Sequence, residues 1–170
     1  MTSLKLEPGS LYIVLKLRSD SLEDKTFHVM LYLHKSDANT PTMKLGGTKY
    51  HITNLRSDMW LTDHGPESAI MKIFLLNCLV RVASDIPSDR WDEIDAIIRA
   101  KDGEINVDGM NCRVWVVQTL QRLQDAGIQF LGRDIEEIDN EAFKIGNLYR
   151  ESAVNNEQPR PIVDVFCEFE

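Results

Sequence analysis

Gly109-Met110-Asn111-Cys112-Arg113-Val114-Trp115-Val116-Val117 decides how this chain is read, because it puts a cysteine where a helix should begin. Asn111 is a favoured N-cap, and Asp108-Gly109 ahead of it supplies a turn. Trp115, Val116, Leu120 and Leu123 follow at helical spacing and form one apolar stripe. The pattern predicts a helix from Cys112 to Gly127, a C-cap residue. Cys112 then occupies the first turn, where free N–H groups and the helix dipole favour a thiolate. A thiolate is a nucleophile, so the next requirement is a base.

Two histidines stand in strand-like surroundings upstream. In Thr26-Phe27-His28-Val29-Met30-Leu31-Tyr32-Leu33, alternation sends Phe27, Val29, Leu31 and Leu33 to one side and His28, Met30 and Tyr32 to the other. A connection with Pro and Gly, from Thr40-Pro41 to Gly46-Gly47, leads to a second run over residues 48–54 that contains His51. Read as a hairpin, the two runs bring His28 and His51 onto neighbouring strands. An activated cysteine needs a base within hydrogen-bond reach and a third polar group that orients the base. Cys112, His28 and His51 fit those roles in that order, with the sulfur expected beside a His28 ring nitrogen.

This order, a histidine on one strand, a second closing the next, then Asn-Cys opening a helix, resembles the circularly permuted papain-like proteins of the NlpC/P60 superfamily, including the lecithin:retinol acyltransferase-like group. The likeness spans roughly residues 11–126, and small fungal proteins share its general look. It implies a papain-like α+β fold, a small antiparallel sheet packed against helices. By the same likeness His28 is the base, His51 the third polar residue and Cys112 the nucleophile, with Asn111 beside it.

The residues and the likeness together give acyl transfer through a Cys112 thioester, as a hydrolase or an amide- or ester-forming transferase. His28 takes the thiol proton and passes it to the leaving group, while His51 orients His28. The backbone N–H of Cys112 is the expected oxyanion donor. Asn111 lines the cleft, and the second donor is open, with Tyr12 on the first strand as a candidate. The expected substrate is a small-molecule or peptide acyl compound, and no cofactor is required. The alternative is a non-catalytic papain-like module that binds a partner in the former cleft.

At 170 residues the chain is one domain by size, long enough for a real core. A net charge of −8 disfavours non-specific binding to nucleic acid or anionic membrane. No run of about 20 apolar residues could span a membrane. Residues Met1 to Pro8 lack an apolar signal region, and three cysteines without a CxxC spacing suit free thiols in a reducing compartment. The expected location is cytoplasmic. Asp102, Glu104, Asn106 and Asp108 alternate as in a calcium loop, but Val107 stands where glycine is needed and Arg113 where the closing glutamate belongs. No clustered zinc pattern, P-loop or G-x-S-x-G elbow is present, so no metal site is assigned.

The remaining segments are placed coarsely. Leu11–Leu17 reads as a first strand, and Met71–Val82 fits either a buried strand or a short apolar helix. A helix opening at Ser88 carries Trp91, Ile94, Ile97 and Ile98 on one face. Residues 135–148 read as irregular with a short helix, 153–161 as a loose segment, and 162–169 as a last edge strand or tail. His34 and His64 read as solvated, Cys78 as buried and inert, Cys167 as an exposed bystander, and Trp115 as a core anchor.

Overall fold

The computed structural model of the chain describes residues 3–36, 46–132 and 134–166. The Thr40-Pro41 part of the predicted connection and Cys167 lie outside them. The strands are β1 (Leu11–Leu17), β2 (Phe27–His34), β3 (Gly47–Tyr50), β4 (Ile52–Thr53), β5 (Leu61–Thr62), β6 (Gly65–Glu67), β7 (Leu76–Ala83) and β8 (Ile162–Asp164). The helices are α1 (Trp91–Arg99), α2 (Cys112–Asp125) and α3 (Ile135–Val154). Six strands form one sheet in the order β6-β3-β2-β1-β7-β8, and β4 pairs with β5 apart from it.

The α+β class is as expected, but the sheet is mixed and not a small antiparallel one. β1, β2, β3, β6 and β7 pair antiparallel, whereas β8 runs parallel to β7. Parallel pairing needs a long crossover, and all three helices lie between β7 and β8 in the chain.

Alternation divides the sheet's residues between two layers. Leu11, Ile13, Leu15 and Leu17 of β1 and Phe27, Val29, Leu31 and Leu33 of β2 join one core cluster with the buried residues of all three helices. Tyr12, Val14, Met30 and Tyr32 belong to a second, smaller cluster on the other face, beside Ile70, Leu76 and the partly buried Leu4 and Leu6. The helices therefore cover one face. The N-terminal segment and the turn over Ile70–Lys72 cover part of the other.

Helix α3 corrects the reading of 135–148 as irregular: it runs for 20 residues. Asp134 caps it by accepting from the Glu136 N–H at 2.9 Å, and Ile135, Ile138, Ala142 and Ile145 turn inward at helical spacing. Its many acidic residues are the solvated face of an amphipathic helix. In the ambiguous 71–82 region, the run from Leu76 is strand β7. Arg160, in the segment read as loose, is buried and donates to the carbonyl of Asn77 at 3.0 Å and to Ser152 Oγ at 3.0 Å.

Gly146 sets how closely α3 approaches the sheet. A Cβ there would stand 2.6 Å from Leu15 Cδ1 and 3.0 Å from two ring carbons of Phe27. Helix propensity alone would make Gly146→Ala stabilising by up to about 1 kcal/mol, whereas overpacking a filled core costs about 1–3 kcal/mol. Leu15 and Phe27 are buried and have little room to yield. Gly146→Ala should therefore destabilise the protein by about 1–2 kcal/mol in urea unfolding. A gain in stability would show that α3 is not held at this distance.

Candidate functional site

The helix start is as the sequence predicts. Asn111 is extended, and its side chain accepts from the Val114 N–H at 2.9 Å, which fixes Cys112 as the first helical residue. The turn before it uses Gly109 at φ +80°, and Gly127 at φ +92° closes the far end. The Cys112 and Arg113 amides precede the first intrahelical hydrogen bond, so their N–H groups face outward from the helix end. Trp115 is a buried anchor one turn on, as expected.

The sulfur itself is 2% exposed as part of Cys112 and sits at the Phe27 end of β2. It faces the Phe27 carbonyl at 3.9 Å and accepts from Arg18 Nη2 at 3.2 Å. Among the described residues no hydrogen bond joins it to His28. Strand alternation explains this: Phe27 points toward the helices and Cys112, so its neighbour His28 is directed to the other face with Met30. Arg18, which the sequence reading did not single out, acts on both residues. It donates to the sulfur, and its charge acts on His28.

The histidines do meet. His28 Nε2 and His51 Nδ1 lie 2.9 Å apart, and His51 Nε2 lies 2.9 Å from Asp63 Oδ2. Burial pushes the His28 pKa down to about 4, helped by the charges of His51, Lys16 and Arg18. His51 is also lowered by burial, against the pull of Asp63. Burial raises Asp63, but His51 and Lys49 outweigh it and hold the carboxyl below its ordinary value.

Near neutral pH both rings are therefore uncharged and Asp63 is ionised, which assigns every proton in the series. Asp63 accepts from His51 Nε2–H, so His51 Nδ1 is an acceptor and takes the His28 Nε2–H. His28 Nδ1 is left with its lone pair, the state a general base requires. Asp63 was missed in the sequence. Its only signal was an Asp-His pair just before Gly65-Pro66.

The other histidines correct the expectation of solvated side chains. The His64 side chain is 1% exposed, accepts from the His51 N–H at 3.2 Å, donates to Asp102 and stacks on Trp115. It ties the His51 backbone to α2. His34 is 7% exposed and bridges Tyr32 and Ser36. Tyr12 is buried in the second cluster and accepts from the Glu7 N–H. It lies five residues back from Leu17 along β1, roughly 16 Å from the Cys112 end. Cys78 is buried as expected, and burial pushes its thiol up to about 12.

Among the described residues no group of three or more His, Cys, Asp or Glu is arranged to hold a metal ion, and no helix is long and apolar enough to cross a membrane. Compared with protein-family models, curated proteins and solved structures, the chain finds no match in any of the three.

His28 gives a measurable pH signature. Its folded pKa is below its ordinary 6.5, so the unfolded chain binds the proton more readily between pH 6.5 and about 4. The stability from neutral, half-buried His28 is present above pH 6.5 and is lost as the pH falls toward 4. Urea unfolding across this window should show a shallower loss in His28→Gln than in the wild type. Parallel curves would mean that the ring is not buried uncharged.

Proposed function

We propose that the protein performs acyl transfer through a thioester on Cys112, with His28 as base, His51 as its orienting partner and Asp63 behind both. The supporting observation is the hydrogen-bonded series Asp63–His51–His28, which ends in a free Nδ1 lone pair on the residue next to Phe27. The Cys112 sulfur stands at the helix start, faces the Phe27 carbonyl and accepts a hydrogen bond from the Arg18 guanidinium.

In the reaction, the Cys112 thiol proton goes to His28 Nδ1 as sulfur bonds to the acyl carbon. The carbon–leaving-group bond then breaks, and the leaving group takes that proton. Water or an amine next attacks the thioester, giving its proton to His28 and returning the thiol. The first-turn amide of Cys112 stabilises the oxyanion. Tyr12 has no role, given its distance. Proton transfer requires the Cys112 side chain to turn from Arg18 toward His28 once substrate is present.

The contact between Arg18 and Cys112, with no hydrogen bond from Cys112 to His28 among the described residues, favours a second reading: a papain-like module that binds a partner without covalent chemistry.

Incubation with p-nitrophenyl acetate separates the two. The first reading expects an acetyl adduct on Cys112, with Cys78 as an unreactive internal control. His28→Ala should slow acylation about 10²–10⁴-fold, and His51→Gln less. Cys112→Ala should abolish the reaction at a stability cost of about 1 kcal/mol. No adduct, or the same rate in His28→Ala, would reject acyl transfer in favour of the binding module.

A further inference from the structure

The sheet face that carries His28 and His51 also holds a cavity of about 460 Å³, whose lining includes Lys16, Met30, Lys49, His51 and Asp63. Register explains how the cations collect there. Lys16 lies directly opposite His28 across the β1–β2 pair, and Lys49 of β3 lies opposite Tyr32, two residues before His51, which follows the end of that strand. Arg56, in the segment between β4 and β5, adds a third cation to the wall.

The balancing charges are few. Asp63 and Glu67 are the carboxylates in the lining, and Asp63 is already engaged by His51 at 2.9 Å. Lys49 reaches Asp63 only at 3.9 Å. Lys16 is half-buried and has no carboxylate within ion-pair distance among the described residues. Burial and the neighbouring Lys49 both work against its charge, and Glu67 only partly relieves this. In a chain of net charge −8, a cavity with three cations and two carboxylates is a local reversal of sign.

Two like charges held together on one sheet face are destabilising unless an anion joins them. Met30 and Ile73 supply apolar wall beside them. We propose that this cavity is an anion-binding subsite, in which Lys16 and Lys49 hold a carboxylate or phosphate group of a small organic molecule against His51. As the recognition half of the acyl-transfer site it rests on that reading, and it assigns the substrate an anionic group.

The test is NMR titration of the His51 ring protons with inorganic phosphate and, separately, with succinate. Both should give saturable shifts, and the tighter of the two identifies the class of anion. Lys16→Gln and Lys49→Gln should each weaken binding about tenfold or more, as expected for a lost charge-assisted hydrogen bond. Lys16→Arg keeps the charge and should retain binding, which separates recognition from folding. Cys112→Ala should bind the anions like the wild type, and saturable anion binding by wild-type protein that forms no acetyl adduct would refute only the catalytic reading. Shifts that do not saturate, or affinity unchanged in Lys16→Gln and Lys49→Gln, would overturn the subsite.

Discussion

Consecutive residues of a strand project to opposite faces, so Phe27 and His28 cannot serve the same layer. Much of the molecule depends on that alternation in β2. Phe27 enters the helix-covered core, with the Phe143 ring edge-on at 5.6 Å and the Arg150 guanidinium 4.3 Å from its centroid. His28 is thereby sent to the face where Lys16 and His51 stand. The sulfur of Cys112 belongs to the first layer and the imidazole to the second. At the end of the sheet Phe27 presents its carbonyl to the sulfur, and Arg18 donates to that sulfur while its charge acts on His28.

The polar groups on the two sides are held in different ways. On the histidine side, one carboxylate orders two rings in series, and burial keeps both rings neutral. On the sulfur side, a capped helix and a single guanidinium act on one atom. His64 joins the sides mechanically, because it binds the His51 amide and stacks on Trp115, one turn beyond Cys112. A change in the ring plane of His64 would be felt by both.

The parts of this arrangement that were legible in the sequence are those written in short periods. Asn111 as cap, the Trp115–Leu123 stripe and the two-residue alternation around His28 need only local spacing, and all three stand as read. The pairing of His28 with His51 was also foreseeable once the two runs were taken as neighbouring strands. Arg18 and Asp63 were not, because each meets its partner only through the tertiary fold, Arg18 across 94 residues and Asp63 across 12. Helix α3 was obscured because acidic residues crowd its solvated face, although Ile135, Ile138, Ala142 and Ile145 keep the helical period. His64 and His34 looked polar by their neighbours in sequence, while their surroundings in space are aromatic and buried.

Strand β8 adds a constraint of a different kind. It joins β7 through a bidentate ion pair between Arg81 and Asp164, residues 83 apart in sequence. A ribosome releases these partners well apart in time. While α1 to α3 are being made, the outer edge of β7 has no strand to cover its N–H and C=O groups. Such an open edge is where a nascent chain pairs with a neighbouring one, so the interval before β8 emerges is when this protein is most exposed to misassembly.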